Sequence, residues 1–256
     1  MNAKMGVIIS IENYVSNESG LPKVKYATND SEAIKKIFIE VLGIEEKNIF
    51  YYKDDEFTWM VGKMELQYYL KQMSSDTELY IYYAGHGFFN EGKNYLTAYD
   101  TSTINLVETS LSFEDLFLNS FKSSGAKSCV AFIDACAEGL SSNQRGVEFR
   151  GIDMNSTLVC DEFVYRYALY FACSPKEKSI SSDELQHGVW TWFLIQALKG
   201  DKKAYDKGKY ISTFSLGEYL KDSVCNYTKQ RYKQTPYSVI SSNDSWKLVD
   251  YGDGVI

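Results

Sequence analysis

Five short runs are apolar at nearly every position and rich in β-branched or tyrosine side chains: Met5 to Ser10, Asn48 to Tyr52, Glu78 to Tyr83, Ser128 to Asp134 and Ala168 to Cys173. Runs of this length, apolar on both alternating faces, fit strands covered on both sides. Between most of them the period changes to that of a helix. After Thr28 or Asn29 as N-cap, Ala33, Ile34, Ile37, Phe38, Val41 and Leu42 recur on one face and stop at Gly43. A second helix is predicted over Trp59 to Met73. A third starts at Ser112, with Asp115 three residues on in a capping-box arrangement. A strongly apolar helix runs from Val189 to Lys199 and ends at Gly200, and another covers roughly Ser215 to Tyr232, before Pro236. Strands alternating with helices imply an α/β fold with a mainly parallel sheet between helical layers. In such sheets, sites form just beyond the carboxyl ends of the strands.

The stretch from Glu138 to Asp161 has no clear period and holds Gly139, Ser141, Ser142, Asn143, Gly146 and Gly151. It is predicted to be a long exposed loop, the segment most open to cleavage. A second loop covers Ser174 to Gln186. The chain shows no internal repeat.

At 256 residues, 45% hydrophobic and 24% charged, the chain has enough apolar material for one large domain. The run Met5 to Ile11 meets Glu12 at once and is too short to span a bilayer, so neither export nor a membrane anchor is expected. Five cysteines form no C-x-x-C pair and no zinc spacing, which fits reduced thiols and a cytoplasmic setting. The formal charge of -7 argues against nucleic acid as a partner, because phosphate binding needs clustered Lys and Arg.

Two residues carry the candidate chemistry. Leu79-Tyr80-Ile81-Tyr82-Tyr83 runs into Ala84-Gly85-His86-Gly87, which puts one of only two histidines at a strand's carboxyl end, between glycines expected to let the backbone turn sharply. Cys129 to Ile133 runs into Asp134-Ala135-Cys136, which sets a thiol at the end of a second strand. A cysteine at a strand end is usually a small core residue, the reading assigned to Cys129 and Cys173. A lone histidine is more often a structural hydrogen-bonder. Together, at matching strand ends, they point to a Cys/His dyad, with Cys136 as nucleophile and His86 as proton donor to the departing amine. The backbone N–H groups of Gly87 and Cys136 are the natural oxyanion donors. His187 is read as a capping or packing residue.

These residues resemble the caspase and metacaspase superfamily: Tyr-Tyr-Ala-Gly-His-Gly, then Asp-Ala-Cys with its cysteine 50 residues after the histidine (136 − 86). Ala27-Thr28-Asn29-Asp30 resembles the acidic segment opening the first helix of metacaspases. Ala172-Cys173-Ser174-Pro175, His187-Gly188-Val189-Trp190-Thr191 and Gln234-Thr235-Pro236 are similar to the small-subunit-like half of bacterial members. The resemblance implies a six-stranded, mainly parallel sheet between helices, the caspase-hemoglobinase fold. It also implies one peptidase domain over 1–256, with a large-subunit-like part at 1–137, the loop at 138–161 and a small-subunit-like part at 162–256. Asp30 and Asp134 stand where metacaspases line the pocket for the side chain before the scissile bond with aspartates. Two carboxylates there would pair with Arg or Lys and repel an acid.

The implied activity is a cysteine endopeptidase cutting after Arg or Lys in a protein partner, in stress or defence signalling, with an activating partner as a further expectation. Arg145 and Arg150 in the loop are candidate self-cleavage sites. After Cys136 stands Ala137-Glu138-Gly139 where metacaspases commonly have His-Ser-Gly; Glu138 would favour cationic substrates or disfavour the thiolate. Many members need calcium, for which Asp100 and Glu91 are the nearest ligand candidates. The acidic clustering is thin, so no cofactor and no obligatory metal are expected. The alternatives are a catalytically silent interaction domain and an Asp-directed peptidase. The first is disfavoured by the presence of both dyad residues, the second by the charge of Asp30 and Asp134.

Overall fold

A computed structural model describes residues 4–15, 20–136, 141–142, 147–148, 151–154, 165–241 and 245–252. The strands, in chain order, are β1 (Lys4–Ser10), β2 (Ile49–Lys53), β3 (Glu78–Asn90), β4 (Lys93–Thr97), β5 (Ser110–Ser112), β6 (Ser128–Cys136), β7 (Ser141–Ser142), β8 (Val147–Glu148), β9 (Tyr167–Phe171), β10 (Ser181–Ser182), β11 (His187–Gly188), β12 (Tyr210–Ser212), β13 (Tyr237–Ile240) and β14 (Lys247–Asp250). The helices are α1 (Ala27–Glu40), α2 (Gln67–Lys71), α3 (Asn119–Ser124), α4 (Val189–Leu198) and α5 (Thr213–Thr228). Wide π-type turns at Val61–Leu66 and Glu114–Leu118 lead into α2 and α3.

Six strands lie side by side in the order β13-β9-β6-β3-β1-β2, parallel except for β13 against β9. These are the expected six strands, and β4 and β5, joined through β3, extend the sheet to eight. Its two faces follow the alternation within each strand. Leu79, Ile81 and Tyr83 of β3, with Cys129, Ala131 and Ile133 of β6, join one core with Leu66, Leu70, Phe117 and Phe121. Tyr80 and Tyr82, with Val130 and Phe132, join the other, under Ile34 and Phe38 of α1, Trp190 and Leu194 of α4, and Leu216 and Leu220 of α5. Cys129 and Cys173 are buried, as read from the sequence, and burial pushes the Cys129 thiol up to about 12.

Several expectations shift. Helix α1 begins at Ala27, before Thr28 and Asn29, because its free amides find partners elsewhere. Glu12, just past β1, accepts from the Thr28 amide at 3.0 Å, and Tyr26 at the N-cap takes a left-handed φ of 70° with no side-chain cap. Helix α5 starts early too, at Thr213, where Ser212 and Ser215 exchange the bonds of a capping box. At Ser112 the expected cap bond is present, the Asp115 amide donating to Oγ at 3.1 Å. The loop predicted at 138–161 is not exposed throughout: Ile152 and Met154 are buried, and the Gly151 amide donates to Pro175 O at 2.7 Å. Arg145 and Arg150 lie outside the described residues.

The largest correction concerns the glycines around His86. No turn occurs there. Strand β3 runs straight through Ala84-Gly85-His86-Gly87 to Asn90, and its last four residues pair antiparallel with β4, from Gly87↔Leu96 to Asn90↔Lys93. The sharp turn comes later, at Glu91 and Gly92, which take φ of 47° and 85°, both positive as a two-residue hairpin requires. Gly85 and Gly87 serve close approach instead. A Cβ on Gly85 would lie 2.5 Å from Tyr83 Oη, and one on Gly87 2.9 Å from Ala135 Cβ.

Gly85→Ala is therefore expected to destabilise the fold by about 1–3 kcal/mol, the usual cost of overpacking a filled interior, read as a lower urea midpoint. An unchanged midpoint would contradict the packing described for Tyr83.

Candidate active site

The site forms where β6 ends at Cys136 beside β3, which runs on past His86 to Asn90. Their parallel register runs from Glu78↔Ser128 through Ala84↔Asp134 to His86↔Cys136, so the two residues singled out from the sequence are direct partners across neighbouring strands. Cys136 is the last residue of β6 and is described by that backbone position. Gly87 follows His86 on β3.

His86 is buried and held at both backbone and ring. Its amide donates to Tyr14 Oη at 3.0 Å, and its carbonyl accepts from Tyr83 Oη at 2.8 Å and Thr97 Oγ1 at 3.1 Å. Tyr14 and Thr97 are themselves joined at 2.7 Å. The Tyr14 ring stacks on the imidazole, with centroids 5.4 Å apart and planes at 24°. Nε2 lies 2.9 Å from the carbonyl oxygen of Pro22. A carbonyl only accepts, so Nε2 carries the proton and Nδ1 is the basic nitrogen.

Beside His86 opens a cavity of about 430 Å³, lined by Pro22, Ala84, Asp30, Asp134, Ser179 and Gly188 among others. Asp30 comes from the first turn of α1 and Asp134 from β6; both are buried. Their Oδ2 atoms converge on Gly188, where an added Cβ would lie 3.0 Å from Asp30 and 2.8 Å from Asp134. Each carboxylate oxygen has a donor. Asp30 Oδ1 meets His187 Nδ1 at 2.5 Å, and Asp30 Oδ2 accepts from the Gly188 amide at 3.0 Å. Asp134 Oδ1 accepts from Ser179 Oγ at 2.6 Å, and its Oδ2 from Thr191 Oγ1 at 2.8 Å.

Burial pushes the Asp30 carboxyl up to about 6, against the pull of the His187 hydrogen bond, and the neighbouring charge of Asp134 adds to the rise. Burial also raises Asp134, opposed by Ser179 and Thr191. Such a pair attracts a cationic side chain and repels a carboxylate. A larger open groove of about 910 Å³ shares Ser179, Ile180 and Ser181 with this cavity and is lined by Lys176, Lys178 and Lys233. It gives room for chain on either side of a bound residue.

The structure thus brings His86, Gly87, Asp30 and Asp134 together with the Cys136 backbone. It also corrects one reading and adds several residues. His187 is no cap: α4 has Gly188 at its N-cap position, and the imidazole binds Asp30 while Trp192 packs on it at 5.5 Å. Ser179 and Tyr14 were not singled out from the sequence, and Thr191 was marked only by resemblance. Gln234, marked only by resemblance, is buried and ties the loop down, donating to Ala172 O at 3.0 Å and accepting from the Ile180 amide at 3.3 Å.

Asp100, one of the two calcium-ligand candidates, accepts from the Trp59 amide at 2.7 Å, and the other, Glu91, sits in the β3–β4 turn. Among the described residues no group of three or more His, Cys, Asp or Glu could hold a metal ion, and no helix is long and apolar enough to cross a membrane.

Comparison with known proteins bears on this geometry. The family model of the caspase domain matches residues 3–245. No curated protein matches the sequence. Among solved structures, caspase-1 from Spodoptera frugiperda superposes with a TM-score of 0.64 at 15% identity, covering 98% of this chain and 92% of that one. At that identity the likeness is one of fold, and it agrees with the strand order found here. With the family model spanning nearly the whole chain, the protein belongs to the caspase-domain family and is a cysteine endopeptidase.

Proposed function

We propose that the enzyme cuts protein substrates after Arg or Lys, with Cys136 and His86 as its dyad. The observation that carries this reading is the β3–β6 register. It sets His86 opposite Cys136 and, two residues back, Ala84 opposite Asp134, so an acidic pocket opens directly beside the dyad.

In the proposed mechanism the Cys136 thiolate attacks the scissile carbonyl, and the N–H groups of Gly87 and Cys136 hold the resulting oxyanion. As the C–N bond breaks, His86 gives a proton to the departing amine and the acyl half stays on sulfur as a thioester. Water, giving one proton to His86, then hydrolyses the thioester to an acid that ionises to a carboxylate and releases its proton to solvent. Sulfur leaves as the thiolate beside a protonated His86, as at the start. The tethered Nε2 keeps the ring's orientation fixed through both transfers. The basic side chain before the cut bond sits between the Oδ2 atoms of Asp30 and Asp134. Glu12 pairs with Lys23 at 3.0 Å and Asp183 pairs with Lys25, which draws the two lysines at the pocket mouth away from repelling a cationic guest. No metal has a role in these steps. The substrate class is a protein with an exposed Arg or Lys site, in a cytoplasmic stress or defence pathway, and Arg145 and Arg150 of the chain itself belong to the same class.

Fluorogenic peptides ending in Arg, Lys or Asp, tested with and without calcium, check the assignment. The expected outcome is hydrolysis after Arg and Lys, with or without calcium, absent from Cys136→Ala and His86→Ala. The intact mass of the wild type should also show cuts after Arg145 or Arg150 that Cys136→Ala lacks. Preference for Asp would overturn the pocket assignment, and silence on all three would favour an interaction domain.

Asp30 also gives a stability prediction with a definite sign. Its folded-state value, raised from 3.8 to about 6, means that the fold binds this proton more tightly than the unfolded chain does. Stability present at low pH is therefore lost as pH rises through that window, by about 3 kcal/mol at most. Asp30→Asn should thus unfold at a higher temperature than the wild type above pH 7, with the difference vanishing near pH 4, while cleavage after Arg and Lys falls at least tenfold. A variant less stable at pH 8 would contradict this ionic cost.

A further inference from the structure

Within the pocket wall, Asp30 and His187 form an ionisable pair, with Nδ1 2.5 Å from Oδ1. The ring of His187 is 18% exposed and the Asp30 side chain 3%. Strand β11, which carries His187 and Gly188, pairs with β10 through Ser181↔Gly188 and Ser182↔His187, so the imidazole and the Gly188 amide reach Asp30 from one fixed element. A carboxylate this deep in the protein takes up a proton unless donors oppose the desolvation, and a neutral carboxyl cannot hold a cationic guest.

Resting on the basic-residue reading given above, we propose that His187 is a positioning residue of the acidic pocket. By donating from Nδ1 to Asp30 Oδ1, it keeps that carboxyl charged and its Oδ2 turned to Gly188, where the basic side chain binds.

The surroundings leave this task to His187. The other charge next to Asp30 is Asp134 on β6, which works in the opposite direction. Tyr82 on β3 is held by Thr191 at 3.0 Å. At the mouth, Lys25 and Tyr26 are bonded to Asp183, and Lys23 is bonded to Glu12. Of the groups that draw Asp30 down from its burial-raised value, the His187 hydrogen bond is the largest and the Gly188 amide comes next. Without the imidazole, Asp30 would stay protonated to higher pH. Asparagine at 187 offers an amide donor close to the position of Nδ1.

The test is equilibrium binding of agmatine, a free guanidinium probe, to the Cys136→Ala chain between pH 5.5 and 9, alone and with His187→Ala or His187→Asn added. His187→Ala should weaken binding at pH 7 by about tenfold, recover toward the parent chain at pH 9 as Asp30 ionises, and shift the midpoint of the pH profile upward. His187→Asn should stay within about threefold of the parent at pH 7. In the active chain, His187→Ala should raise KM for an Arg peptide with kcat little changed. Parent-like binding by His187→Ala at pH 7 would overturn the proposal. So would an equal loss at pH 7 and pH 9 that asparagine does not repair, the mark of a merely structural role. If the parent chain fails to bind agmatine at any pH, the basic pocket itself is wrong and the role of His187 falls with it.

Discussion

Strands β3 and β6 lie in parallel register for nine successive pairs, Glu78↔Ser128 to His86↔Cys136, and the site inherits its geometry from that alignment. A side-chain period of two makes register an all-or-none property. Sliding β3 by one residue would exchange Tyr80 and Tyr82 with Leu79 and Ile81 between two filled cores. The same slip would part His86 from Cys136 and Ala84 from Asp134. The energy that fixes the site is thus the burial of apolar side chains on both faces of the sheet, well away from any reacting atom. Tyr14, Tyr83 and Thr97 extend that order to the level of His86, where their hydroxyls take up its backbone.

The pocket works against stability. Asp30 and Asp134 are both buried, both raised by desolvation, and close enough for the charge of Asp134 to bear on Asp30. A fold optimised only for stability would place neutral groups there. Its donors come from separate parts of the chain: Ser179 from the loop after β9, His187 and Gly188 from β11, Thr191 from α4. Gln234 locks that loop to the end of β9. The chain after β9 thereby completes a pocket whose acids come before it, on α1 and β6.

How much of this could be read in the sequence follows from the range of the forces involved. Strand runs are local signals, and β1, β2, β3, β6 and β9 were all visible in them. His86 and Cys136 stood out only as a pair, each following an apolar strand run. Asp30 and Asp134 were found through resemblance, since nothing local distinguishes a pocket carboxylate from one at an ordinary helix start. The start of α1 was misplaced because its cap is Glu12, outside the helix's own sequence. Gly85 and Gly87 looked like turn residues, yet their absent side chains make room for Tyr83 and Ala135 within an extended strand. Of the two readings of His187, packing held against Trp192, and the bond to Asp30 was missed because that partner is 157 residues away.

The account turns on whether the nucleophile is Cys136 and whether the adjacent pocket admits a basic side chain. Labelling the protein with two otherwise identical peptidyl chloromethyl ketones, one ending in Arg and one in Asp, and mapping the thioether by mass spectrometry tests both at once. The account predicts one adduct, on Cys136, forming much faster with the Arg reagent and slowed when His86 is replaced by Ala. An adduct on another cysteine, or faster labelling by the Asp reagent, would contradict it.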